Sequence, residues 1–139
     1  MVYAVIDTNV LVSAYMTHNL ESATSKVVTN LFGGRIALLY NEEIMTEYQD
    51  VLSRPHLHIS LPERDELFRF IRENGILAER TAFDELFADE SDRVFYEVTL
   101  SEEGSFLVTG NLKHYPIDPR VVTPAQMVQI LESAKERGK

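Results

Sequence analysis

Asp7 follows the apolar run VYAVI directly, and it is the first residue of the chain placed where chemistry could occur. If residues 2–6 form a buried parallel strand, the Asp7 carboxylate stands at its C-terminal edge, where α/β proteins bind ligands. A carboxylate there can serve a metal. It can equally cap the segment opening at Thr8, since Asp is a favoured N-cap. Position alone leaves both readings open. Phe106-Leu107-Val108 repeats the arrangement near the other end, with Thr109, Gly110 and Asn111 leaving the strand. That second edge delivers an amide where a carboxylate would be the stronger metal ligand.

Two further acids are candidates. On a helix from Glu42, the residues Ile44, Tyr48 and Val51 form an apolar stripe, and Glu47 falls at its margin. A carboxylate at such a margin is partly desolvated, which is costly without a partner or a metal. The competing reading is a side chain that reaches water or pairs with an arginine. Asp92 closes the run Asp89-Glu90-Ser91-Asp92, ahead of Arg93-Val94-Phe95. Acids in a first turn complement the helix dipole, yet four acidic or hydroxyl residues exceed what one cap requires. The histidines carry less. His56 and His58 flank Leu57 in a loop, His18 reads as exposed, and His114 trails the Asn111 turn as a surface or packing residue.

These positions depend on the elements that carry them. VYAVI and RIALLY (35–40) are nearly continuous apolar runs, the pattern of strands buried on both faces. Between them the sequence predicts helices through Leu11–Tyr15 and Ser22–Phe32, the latter ending at Gly33-Gly34. Asn41 can cap a helix from Glu42 to about Ser53. Ser60-Leu61-Pro62-Glu63 fits a capping box for a helix reaching Asn74. A short strand at Ile76–Glu79 follows, then a helix over Ser91–Leu100 and a strand over Ser105–Thr109. Val121-Val122 reads as a last strand. Thr123-Pro124-Ala125-Gln126 is a second capping box, with Pro at the first helical position. Strands alternating with helices give an α/β fold, a parallel central sheet flanked by helices on both faces. The two helices between Asn41 and Asn74 form a helical hairpin insertion.

The bulk numbers are consistent with one domain over residues 1–139. Hydrophobic residues make up 45% and charged residues 25%, and cysteine is absent, which excludes disulfides and thiolate zinc sites. No run is long enough to cross a bilayer and no signal peptide is evident, so a cytoplasmic protein is expected. Thirteen Lys and Arg against 22 Asp and Glu give a net charge of −9. That balance counts against a general nucleic-acid binder. It still admits an enzyme that meets phosphate through bound cations.

Taken together, these residues resemble the PIN-domain family, of the kind found as the ribonuclease toxin in VapC-type toxin–antitoxin pairs. VIDTNVLVSA resembles the first motif, with Asp7 as the first metal-binding acid and Thr8 and Asn9 following. EEIMTEYQDVLSRP resembles the second, placing Glu47 at the second acid. DESDRVFYEV resembles the third, with Asp92 the match and Asp89 a neighbour. FLVTGNLKHYP resembles the last, with Thr109 and Asn111.

The resemblance implies that the acids meet at the strands' C-terminal edge and hold Mg or Mn for hydrolysis of RNA phosphodiesters. It also implies a small antitoxin partner and a homodimer. Clustered carboxylates repel one another, and hard divalent cations bound through oxygen would stabilise them. Such cations also shield RNA, which reconciles an acidic protein with an anionic substrate. Arg54, Arg93 and Lys113, close to the motifs, are the expected phosphate contacts. Many PIN domains place Asp where Asn111 stands. Its carbonyl can ligate or hold a metal-bound water but adds no charge, so a second cation is expected to bind weakly or not at all. Two rival readings are a PIN-like regulatory protein that has lost catalysis, and a receiver or phosphatase-like domain built on Asp7.

Overall fold

The computed structural model describes residues 1–137. Five parallel strands run in the order β3-β2-β1-β4-β5: β1 (Val2–Ile6), β2 (Ile36–Tyr40), β3 (Ile76–Leu77), β4 (Phe106–Val108) and β5 (Val121–Val122). β1 is central. It pairs with β2 through Val2↔Ile36 and Ala4↔Leu38, and with β4 through Ala4↔Phe106 and Ile6↔Val108. Chain order thus reverses direction across the sheet at the β1/β4 boundary, and side chains leaving those two strands enter the same crevice.

The apolar runs occupy this sheet for the reason their composition gives. Ala4, Val5 and Ile6 are fully buried, and all five residues of β2 are buried. The helices α1 (Thr8–Met16), α2 (Ala23–Phe32) and α6 (Pro124–Arg137) pack through α2, whereas α3 (Glu42–Leu52), α4 (Leu61–Asn74) and α5 (Arg93–Leu100) pack through α3. Helices therefore clad both faces. Among the described residues no helix is long and apolar enough to cross a membrane.

Local signals set the helix ends. Asn41 accepts a hydrogen bond from the Ile44 amide at 2.9 Å and starts α3. Ser60 and Glu63 make the reciprocal bonds of a capping box at α4, and Thr123 and Gln126 do the same at α6. α3 and α4 form the hairpin, joined through a 3₁₀ turn at Pro55–Leu57. Three elements are shorter than the sequence predicts. β3 stops at Leu77, β4 covers Phe106–Val108, and the helix expected from Ser91 begins as a 3₁₀ turn, Glu90–Asp92, before α5. Each difference falls at the end of an element, where boundaries shift by a residue or two.

The buried stripe of α3 is Ile44, Met45, Tyr48 and Leu52, while Val51 is only half-buried. The helix is therefore turned slightly from the Ile44–Tyr48–Val51 stripe of the sequence pattern. Its setting is fixed by the fully buried Tyr48, whose hydroxyl donates to the Ile6 carbonyl at 2.5 Å, at the end of β1.

Gly75 closes α4 against β2. A Cβ there would lie 2.6 Å from the Ile71 carbonyl oxygen and 2.8 Å from the Tyr40 ring. Gly75→Ala is accordingly expected to destabilise the protein by about 1–3 kcal/mol, the range for overpacking. Urea denaturation measures this, and an unchanged midpoint would mean that α4 yields freely at its end.

Candidate active site

Asp7 occupies the N-cap position of α1, but its side chain makes no capping bond. Its carboxylate turns instead across the β1/β4 crevice and is only 5% exposed. Oδ2 accepts from the Thr109 hydroxyl and from the Tyr115 hydroxyl, each at 2.9 Å. Both donors converge on one oxygen, which leaves Oδ1 for another partner. Burial, followed by the charges of Asp7 and Asp92, pushes the Tyr115 phenol far above its usual range, so it remains a donor at any working pH.

The start of α1 supplies two more contacts. Thr8, buried at the first helical turn, donates its hydroxyl to Glu47 Oε2. The Asn9 side-chain carbonyl accepts from the Gly110 amide at 3.4 Å, linking α1 to the segment leaving β4. Glu47 reaches this place because Tyr48, next in sequence, faces the core and holds α3 against β1. Glu47 is half-buried, and burial raises its carboxyl above the ordinary range. The Thr8 hydroxyl opposes that rise, while the charges of Asp7 and Asp89 add to it.

Asp92 ends the 3₁₀ turn before α5 and caps nothing. Its Oδ2 is buried and lacks an aligned hydrogen bond. His114 Nδ1 approaches that atom to 3.2 Å, off the line a good bond requires. Burial, and then the Asp7 and Asp89 charges, push the Asp92 carboxyl up to about 6, with His114 opposing. Asp89 behaves differently. Its carboxylate accepts from the Ser91 hydroxyl and amide, which lowers it, and it holds the turn in place.

The charge of Asp7 bears on both Glu47 and Asp92, and all three acids act on the single Tyr115 hydroxyl. Asn111 joins them through its backbone amide, which donates to Thr109 Oγ1 at 3.1 Å, and through its side chain, 2.8 Å from His114 Nε2.

The cations near the motifs divide. Arg54 pairs with Asp50 on the surface at 3.2 Å and lowers the Glu47 carboxyl through space. Lys113 is exposed beside a cavity of about 380 Å³ lined by Phe87, His114 and Tyr115 among others. Arg93 turns away from the acids. It binds Glu90 and donates to the backbone carbonyls of Phe83 and Glu85, a structural engagement that leaves it little freedom to meet phosphate. Tyr115 and His114 are the residues that sequence reasoning undervalued. Both lie inside FLVTGNLKHYP, but neither has a residue type that signals its role without knowledge of the turn.

A parallel sheet that gathers acids from separate elements at the reversal of its strand order defines an α/β protein with an edge-mounted polar centre. A family model described as the PIN domain matches residues 3–113, from β1 to the turn after Asn111, and the chain belongs to that family. PIN domains are in general nucleases and typically use divalent metals. No curated protein matches the chain.

The residues present suit such an ion in kind. Asp7 Oδ1, Glu47 and the orphaned Asp92 Oδ2 are hard oxygen donors in a like-charged group, the set that Mg or Mn takes. In this arrangement, however, no three acids or histidines among the described residues are close enough to share one ion.

Because the Asp92 carboxyl is raised, the folded protein holds that proton more tightly than the unfolded chain. The stability it contributes is fully present below about pH 4, where both states are protonated, and is lost as pH rises through about 6. Metal-free protein is therefore expected to melt at lower temperature at pH 7.5 than at pH 5. Asp92→Asn is expected to flatten that slope and stabilise the metal-free protein at pH 7.5 by about 1–2 kcal/mol. Calorimetry across pH 5–8 checks both. A variant no more stable than the parent at pH 7.5 contradicts the assignment of repulsion to Asp92.

Proposed function

We propose that this protein is a metal-dependent endoribonuclease that hydrolyses RNA phosphodiester bonds, and that it acts as the toxin of a toxin–antitoxin pair. The observation that supports the reading is that the charges of Asp7, Glu47 and Asp92 all bear on Tyr115, from elements that follow the order of the family's motifs. Asp7, Glu47 and Asp92 would hold one Mg or Mn ion. When bound there, such an ion polarises the phosphodiester, favours ionisation of water and offsets the substrate's charge.

The chain's own residues do the rest. Thr109 and Tyr115 fix Asp7 through one oxygen so that the other faces the crevice. Thr8 holds Glu47 in the half-buried setting that keeps water from screening it. Lys113 is the exposed cation placed to meet a backbone phosphate beside the centre, and Arg54 adds positive charge near Glu47. With 22 acidic residues, the surface otherwise repels RNA, so binding depends on the cation and these few groups. A small protein antitoxin that covers this crevice, and a homodimer, complete the proposal for a cytoplasmic protein.

Incubation of single-stranded RNA with purified protein and manganese is expected to yield internal cleavage that chelator abolishes. Asp7→Asn is expected to lower the rate at least about 100-fold, as expected for loss of a group that stabilises transition-state charge, while the circular dichroism spectrum stays unchanged. Cleavage that persists in chelator, or in Asp7→Asn, defeats the proposal. A protein that binds manganese and RNA without cutting would instead be the regulatory PIN protein.

A further inference from the structure

The turn after β4 contains a connection that the metal-binding acids do not explain. Asn111 touches both acids that flank it in space, though by intermediaries. Its backbone amide donates to Thr109 Oγ1, which donates to Asp7 Oδ2. Its side-chain nitrogen Nδ2 lies 2.8 Å from His114 Nε2, and His114 Nδ1 lies 3.2 Å from Asp92 Oδ2.

With the Asn111 amide set so that Nδ2 faces the ring, the hydrogen count along the second branch follows. An amide nitrogen can only donate, so His114 Nε2 must accept with its lone pair. A neutral imidazole that accepts at Nε2 carries its proton at Nδ1. Nδ1 lies 3.2 Å from the buried Asp92 Oδ2 but off the line of a good hydrogen bond, so in this arrangement the contact is an electrostatic one that a small shift would align. The His114 ring is held from below as well, since its backbone amide donates to the Asn111 carbonyl at 3.2 Å, closing the 3₁₀ turn Leu112–His114.

We infer that His114 is a positioning residue for Asp92, and that Asn111 serves the centre as the amide that sets the His114 tautomer rather than as a ligand. The inference rests on the reading of the acids as a nuclease centre. It answers why an amide stands at position 111. An aspartate there would accept from Nε2–H, and a neutral ring could then no longer offer Nδ1–H to Asp92. His114 Nδ1–H instead restrains Asp92 Oδ2, so that the carboxylate is oriented before any cation arrives. Outer-shell partners of ligating groups act in this way, and their loss costs about 10- to 100-fold in metal affinity.

Two measurements test this on the full chain. The first is metal-free. Long-range nitrogen–proton NMR at a pH where the ring is neutral is expected to show His114 protonated at Nδ1, and Asn111→Ala is expected to shift it towards the Nε2–H form. An Nε2–H ring in the parent protein overturns the inference whatever the variants do. The second is manganese affinity by isothermal titration. His114→Ala is expected to weaken binding about 10-fold or more. His114→Asn, whose amide nitrogen can take the place of Nδ1, is expected to retain most of the affinity.

Equal loss in both His114 variants, or loss in neither, overturns the positioning role. Should His114→Ala fail to fold, the tautomer and His114→Asn still decide. RNA cleavage separates the two readings. A parent protein that cuts RNA but shows unaltered affinity in His114→Ala retains the nuclease and loses the inference. One with the Nδ1–H ring and the expected affinities but no cleavage does the reverse.

Discussion

A carboxylate buried to 5% exposure, whose charge raises the proton affinity of two other acids, is the costliest feature of this fold, and much of the architecture can be traced to it. Such a group persists only where hydrogen bonds or cations compensate the lost hydration. Asp7 receives two hydroxyl donors on one oxygen, both from the segment after β4. The parallel pairing of Ile6 with Val108 brings that segment within reach. The position of β4 beside β1, rather than beside β2, is therefore a requirement of the site as much as of the sheet.

A second buried acid shows the opposite solution. Glu97, on α5, is 6% exposed, and burial alone would raise its carboxyl, yet the Phe83 amide and Arg80 outweigh that and lower it. Arg80 also grips Glu43 on α3. The irregular stretch between β3 and α5 is thereby clipped to two helices, and Arg93 adds its bonds to the Phe83 and Glu85 carbonyls. One acid is satisfied by fixed cations and donors and serves structure. In the crevice, by contrast, Asp92 Oδ2 is buried without a hydrogen bond, and the Glu47 and Asp92 carboxyls are raised rather than lowered.

Much of this was legible from residue types. The apolar runs gave β1 and β2, and Ser60/Glu63 and Thr123/Gln126 gave helix starts that the structure reproduces as reciprocal capping bonds. These are local signals, and local physics decides them. The setting of α3 was less accessible, because the choice between Leu52 and Val51 as inward residue depends on Tyr48 reaching the Ile6 carbonyl, 42 residues away. Arg93 illustrates the limit for charged side chains: its neighbour Glu90 was visible, whereas the two carbonyls that engage it belong to a loop without periodicity. Tyr115 and His114 were harder still. A tyrosine after a histidine carries no signature, and only the return of the chain over β1 gives the pair a purpose.

The separation of Asp7 from its donors has a consequence for how the protein is made. Asp7 leaves the ribosome well before its donors, since Thr109 and Tyr115 follow 102 and 108 positions later. Domains tend to fold as units as they emerge, and distant pairings form late. The nascent chain consequently carries its acids apart for most of synthesis, and the crevice is assembled only after nearly the whole domain has cleared the exit tunnel. A nuclease built this way would thus remain inert toward the RNA nearest to it until β4 and the turn after it have emerged.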